Sequence, residues 1–140
     1  GVDIHEMARS AGGTGPPPQE ERAGYMWHIA SCAKPTIGAI NGLAYGGGAD
    51  MAASFDIRVG CERSSFRFLA AQYGRVNSTW SLPMQVGWPI AKELLFTARV
   101  VEAEEAYRIG RATRPVASGI KPLINYLSEP QTAWPSNYLW

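Results

Sequence analysis

Along residues 21–34, Met26, Ile29, Ala30 and Ala33 recur at the i, i+3, i+4, i+7 spacing of one apolar helical face. The spacing predicts a helix that packs this face on a core and is closed by Pro35. TIGAIN at 36–41 is a short apolar run between Pro35 and Gly42, the pattern of a buried strand. It leads into Gly46, Gly47 and Gly48. The Ala-rich stretch 49–54 then favours helix, and FDIRVG at 55–60 reads as a second strand, with 66–68 pairing beside it. Pro89 stands where the first turn of a helix accepts proline, and 91–98 offers Leu94 and Leu95 for burial. A further helix over 102–109 has Glu104 and Arg108 in the favourable i, i+4 order, with Gly110 in place to end it. The predicted succession of strand, glycine turn, helix and strand is that of an α/β chain.

Two stretches have no such period. SAGGTGPPP at 10–18 combines glycine entropy with three rigid prolines and reads as a flexible surface loop. Residues 117–140 carry Pro122, Pro130 and Pro135 among Tyr126, Trp134 and Trp140 and read as an irregular tail. The chain opens at Gly1 with no visible targeting segment, as an internal piece of a longer protein would.

Composition narrows the function classes. The 140 residues carry 13 Lys and Arg against 12 Asp and Glu, with 46% hydrophobic and 18% charged residues, the profile of one soluble globular domain. A net charge of +1 gives no long-range field for nucleic acid or an anionic membrane, so neither is expected as a partner. The longest uncharged stretch, between Lys34 and Asp50, contains Pro35, Asn41 and five glycines and cannot be a membrane-spanning helix. Cys32 and Cys61 are too few to staple a domain of this size and belong to no CxxC pair. A reducing, cytoplasmic setting is therefore expected, and no metal site.

Candidate chemistry centres on the glycines. A strand that runs into three glycines and a helix brings bare backbone N–H groups to the positive end of a helix dipole, which attracts an anion or a polarised oxygen. No Gly-Lys-Ser/Thr follows, and Met51 stands where a GxGxxG motif needs its last glycine, so the usual phosphate loops are excluded. A GxSxG nucleophile elbow is absent, and His5 and His28 fit no metal or triad spacing, so both read as surface or packing residues.

KPTIGAINGLAYGGGADMAASFDIRV at 34–59 closely resembles the signature of the crotonase, or enoyl-CoA hydratase/isomerase, superfamily. GVDIHEM at 1–7 is similar to that family's GADLKEM segment, and LPMQVGWPIAKELLFTARVVEAEEAYRIG at 82–110 to its LPRLVG, AKELLLTG and SAEEALRIG blocks. The resemblance implies a partial crotonase-like spiral of strand-helix repeats over 1–116, with 117–140 divergent. It further implies lyase or isomerase chemistry on an acyl-CoA thioester, as in fatty acid metabolism, through a stabilised enolate. The whole protein would be a homo-trimer or hexamer, with no cofactor beyond the coenzyme A of its substrate.

By the same resemblance, the oxyanion hole is formed by the backbone N–H groups of Val2 and Gly47, which hold the thioester oxygen as charge develops on it. Gly46 and Gly48 flank this turn. Asp3, Ile4 and His5 line part of the CoA site, with His5 where the family often has Lys. Asp50 matches the first of two acid-base glutamates; its alternative role is to complement the dipole of the helix that begins at the glycines. Ala70 occupies the place of the second glutamate, and a methyl group transfers no proton. The loop that follows, RVNSTWS at 75–81, is shorter than the family's glycine-rich one. Trp80 is expected to pack on the core or the acyl pocket, and Asn77 and Ser78 to satisfy turn backbone or position a water. With one carboxylate, a double-bond shift or another enolate reaction is easier to support than hydration by two glutamates. The alternative, from a different class, is a catalytically silent module that binds acyl-CoA or another protein.

Overall fold

The computed structural model describes residues 19–112. Helix α1 (Gln19–Ala30) forms where the apolar spacing predicts it, with Met26, Ile29 and Ala30 half-buried. It stops earlier than predicted, and Ala33 lies outside it, exposed. Proline is the physical reason: the Pro35 ring would clash with the carbonyl four residues back, at Ser31, and would bias Lys34 out of the helical region. Ser31 closes the helix by giving both its N–H (2.8 Å) and its hydroxyl (2.7 Å) to the Trp27 carbonyl.

The strands fall into two sheets. β1 (Ile37–Ile40) pairs in parallel with β3 (Ile57–Gly60), Ile37 opposite Ile57 and Ile40 opposite Gly60; α2 (Gly47–Ser54) lies between them in the chain and supplies the crossover that parallel pairing needs. β2 (Leu43–Tyr45), which was not expected, pairs in parallel with β4 (Ser65–Arg67), and β4 pairs antiparallel with β5 (Val101–Glu102). Segment 66–68 therefore does not pair beside β3. After β1 the chain turns at Asn41 and Gly42, and the Ser65 N–H on the Gly42 carbonyl (3.2 Å) draws β4 to β2 instead. Nor is β1 the buried strand its apolar run predicts: Gly38 is buried, but Ile37 is 44% exposed and Ala39 is exposed. Its side chains alternate between two faces, and one of them stays open among the described residues.

Gly38 is required by packing. A Cβ there would meet the Phe55 ring at 2.6 Å. Gly38→Ala is expected to destabilise the chain by about 1–3 kcal/mol, as overpacking does, read as a lower denaturant midpoint. A variant as stable as the parent would show that the ring can yield.

The core sits between α2, the β2-β4-β5 sheet and the later helices. Ala49, Ala52, Phe66, Phe68, Leu82, Ala91, Leu94, Val101 and Ala106 form one buried cluster. Alanines on the inner face of α2 let that helix lie close to the sheet, while each fully buried Phe or Leu contributes about 1.5–3 kcal/mol. α3 (Ser81–Val86) and α4 (Trp88–Thr97) follow, with Pro89 in the first turn of α4 as predicted. Leu94 is fully buried, and Leu95 packs at the core margin. α5 (Ala103–Arg108) leads to Gly110, whose φ of +77° leaves the helix. The ion pairs here do not follow the i, i+4 spacing: Arg99 reaches Glu93 (2.6 Å) and Glu105 (2.7 Å). No helix among the described residues is long and apolar enough to cross a membrane.

Candidate functional site

The glycine turn is built by β2 rather than by β1. Leu43–Tyr45 runs into Gly46, whose φ of +53° is one that glycine adopts without a steric cost. Its N–H is bonded to the Arg67 carbonyl on β4 at 2.9 Å, which ties the turn to the sheet. The Gly46 carbonyl takes the N–H groups of Ala49 (2.9 Å) and Asp50 (3.1 Å), starting α2. Among the described residues no backbone hydrogen bond takes up the N–H of Gly47 or Gly48. A Cβ on either would meet no atom of the described residues within 4 Å, so among these residues the space over this helix end is open. Two free donors at the positive end of a helix suit an oxygen that gains negative charge.

Asp50 lies in the first turn of α2, half-buried. Its carboxylate makes no cap on its own helix. One oxygen accepts from Asn77 Nδ2 at 2.5 Å and the other from Ser78 Oγ at 2.6 Å. Burial raises the Asp50 pKa above its ordinary 3.8, opposed by the Ser78 hydroxyl, the Asn77 amide and the charge of Arg111. A carboxyl raised in this way favours the fold in acid, and that contribution is lost as pH rises through its folded-state value.

The rest of α2 is held by cations and an amide that the sequence reading did not single out. Arg111, 1% exposed, lies against the Phe66 ring (4.7 Å from its centroid) and donates to the Ala49 carbonyl (3.1 Å) and to Gln85 Oε1 (2.9 Å). Gln85 Nε2 donates to the Ala53 carbonyl at 2.7 Å. Arg58 donates to the carbonyls of Phe55 and of Arg111, the latter at 2.8 Å. Of these, the Ala53 and Phe55 carbonyls lie at the negative end of α2, where the last carbonyls have no partner within the helix. Burial lowers the Arg111 pKa, and so does Arg58, while Asp50 raises it. An isolated Arg in a chain carries no signal of such a role, because its partners are carbonyls chosen by the fold.

The other expected site residues divide. Val2, Asp3, Ile4 and His5 lie outside the described residues, as do the 10–18 loop and the 117–140 tail. Ala70 opens a short 3-10 helix (Ala70–Tyr73), half-buried, and shares a hollow of about 70 Å³ with Asn77, Thr79, Leu95 and Phe96. Trp80 corrects one of its two expected placements: it is 55% exposed just before α3 rather than packed on the core. The loop turns it outward while Ser81 and Leu82 take the buried positions. The side chains of Asn77 and Ser78 engage Asp50 rather than the turn backbone. Cys32 is exposed and Cys61 buried, both free, and His28 is exposed on α1. Among the described residues no three His, Cys, Asp or Glu side chains gather as a metal site.

The sequence pattern of the Enoyl-CoA hydratase/isomerase family matches residues 1–118. The chain belongs to the enoyl-CoA hydratase/isomerase family. Human mitochondrial methylglutaconyl-CoA hydratase is 37% identical over 114 residues, covering 79% of this chain and 33% of the relative. The short-chain-enoyl-CoA hydratase of Clostridium acetobutylicum is 40% identical over 86 residues, covering 59% and 33%. Among solved structures, the enoyl-CoA hydratase/isomerase of Cupriavidus metallidurans superposes with a TM-score of 0.69 at 28% identity, over 83% of this chain and 46% of that one. The chain thus spans about a third of these curated relatives and under half of that structure. Over the matched part, the expected α/β crotonase-like fold is borne out. The segment that carries the resemblance, 34–59, forms β1, β2, the Gly46 turn, α2 and β3, with Gly47 and Asp50 in the first turn of α2.

Proposed function

We propose that this member of the enoyl-CoA hydratase/isomerase family binds an acyl-CoA thioester and stabilises its enolate. The Gly47 N–H, with Val2 as second donor, receives the thioester oxygen, and Asp50 moves the proton at the carbon beside the carbonyl. The observation that carries this reading is the open helix end with a half-buried carboxylate in its first turn. Gly46 and Gly48 shape the turn, Asp3, Ile4 and His5 contribute to the CoA site, and Ala70 and Trp80 border the acyl part. The substrate brings its own coenzyme A and no other cofactor is needed. The whole protein works as a homo-trimer or hexamer in a reducing, cytoplasmic setting.

Ala70 narrows the reaction. Hydration by two carboxyl groups needs a second proton-transfer group, and the methyl at this position supplies none. A single carboxylate is sufficient for a proton shift within an enolate, which favours isomerisation or a related enolate reaction over hydration.

The test is exchange of the α-proton of an acyl-CoA thioester in deuterated water, followed by mass. Asp50→Asn is expected to lower exchange by about 10²- to 10⁴-fold. A base must be ionised to accept a proton, so exchange falls as pH is lowered, and burial of Asp50 puts the midpoint of that fall above 3.8. Tight thioester binding without exchange in the parent would favour the silent binding module. Exchange unaffected by Asp50→Asn would remove Asp50 from the mechanism.

A further inference from the structure

We propose that Asn77 and Ser78 are positioning residues that hold Asp50 in place as an ionised proton acceptor, an inference that rests on Asp50 being the base. The two neighbouring side chains come from the loop 27 and 28 residues after Asp50, and each gives a donor to a different carboxylate oxygen, at 2.5 and 2.6 Å. Both contacts suit the anion. An ionised carboxylate accepts from both at once, whereas a protonated oxygen would clash with the Asn77 amide donor or keep the Ser78 contact only by reversing it.

Two unfavourable local features accompany this arrangement. The first is the Asn77 amide, whose Oδ1 is buried with no hydrogen-bond partner among the described residues. Such orphaned acceptors are rare in folded proteins. Turning the amide over would place that oxygen against the Asp50 carboxylate, so the orphan is the consequence of keeping Nδ2 on Asp50. The second is Ser78, which holds φ at +50°, a left-handed conformation that a non-glycine side chain seldom adopts. Glycine would fit that backbone with less strain but has no hydroxyl. Turn residues ordinarily use their side chains on nearby backbone, yet here both unfavourable features converge on one distant carboxylate. Strain retained at a single group is a mark of a functional site.

Among the described residues one charged side chain acts on Asp50. Arg111, reaching α2 from beyond α5, acts on Asp50 and favours its ionised form. Ser54, on the same helix, gives its hydroxyl to the Asp50 backbone carbonyl (3.0 Å) and leaves the carboxylate to the loop.

The experiment titrates the side-chain carboxyl carbon of Asp50 by NMR in the full chain, for the parent, Asn77→Leu, Ser78→Gly and the double variant, the signal being assigned by its loss in Asp50→Asn. Removing a donor destabilises the anion, so each single variant is expected to shift the Asp50 midpoint upward and the double variant to shift it further. Asp56, whose carboxylate is held by Thr36 at 2.7 Å, reports on the rest of the protein and keeps its midpoint. Ser78→Gly relieves the left-handed strain, so its thermal midpoint stays level or rises while the Asp50 midpoint still moves; a merely structural serine would show neither change at Asp50. In the exchange assay the acid side of the pH profile moves up in parallel, with a loss of about tenfold there for each variant. An Asp50 midpoint that stays put in both single variants overturns the proposal. A moved midpoint in a protein that exchanges no α-proton upholds the positioning and refutes the reading of Asp50 as a base for acyl-CoA, so the two failures are distinguishable.

Discussion

Gly47→Pro is expected to abolish nearly all turnover of an acyl-CoA thioester, by about 10²- to 10³-fold, while leaving the chain folded. Loss of one oxyanion donor removes about 2.7–4 kcal/mol of transition-state stabilisation. Proline suits the test because Gly47 is the first residue of α2, a position where a helix tolerates proline and where the N–H has no partner within the helix. The change therefore deletes the donor without deleting a structural hydrogen bond. Gly47→Ala is the companion. It keeps the N–H and adds a methyl into space that holds no atom of the described residues within 4 Å, so its fold is expected to be unaltered and its loss of turnover smaller. Rates are compared on one substrate, with circular dichroism and thermal midpoints checking that each variant folds. A Gly47→Pro protein that folds and turns over like the parent would remove the oxyanion role from this turn.

The second large effect concerns the methyl at position 70. Ala70→Glu is expected to raise hydration of a simple enoyl-CoA by about 10²- to 10⁴-fold, the usual contribution of one positioned acid-base group. Isomerisation of the same acyl chain should gain less, because the single carboxylate of Asp50 already serves it. The position is suitable: Ala70 is half-buried at the start of a short 3-10 helix and shares its hollow with Asn77, whose amide holds Asp50. A carboxyl introduced at a half-buried position has its pKa raised by desolvation, which suits it to act as an acid. Hydration is followed as the loss of absorbance of the conjugated thioester. Fast hydration by the parent, unchanged in Ala70→Glu and in Asp50→Asn, would place the catalytic groups elsewhere.

Much of the local structure was legible in the chain because it depends on short-range chemistry. The apolar spacing of Met26, Ile29 and Ala30 is a helical face wherever it occurs, and Pro89 and Gly110 mark a helix start and stop through their own backbone limits. The glycines at 46–48 are of the same kind: a turn with φ of +53° and a helix end free of side chains require residues without a Cβ. Asp50 was legible by motif, and its carboxylate does sit in the first turn of the helix that the glycines begin.

What the sequence by itself determined about this protein is therefore its family, most of its longer helices and the β1 and β3 strands, the bare turn and the carboxylate beside it, but not β2, β5 or α3. Only the tertiary structure decided how strands pair and which side chains meet. Segment 66–68 reads equally well as a neighbour of either earlier strand, since its own alternation says nothing about the partner; a hydrogen bond from Ser65 to the Gly42 carbonyl makes it the neighbour of β2. Trp80, apolar and expected on the core or the acyl pocket, stays off the core because Ser81 and Leu82 occupy the buried positions of α3. Asn77 and Ser78 have the composition of any turn, and Arg111 that of any surface charge, yet the fold carries the first two to the Asp50 oxygens and buries the third against Phe66 and the carbonyl of Ala49. Those contacts join residues that are 27, 28 and 62 positions apart in the chain. Side-chain periodicity reports which way a residue faces within its own element; the partner it meets at such separations depends on how the elements pack, and that is a property of the whole fold.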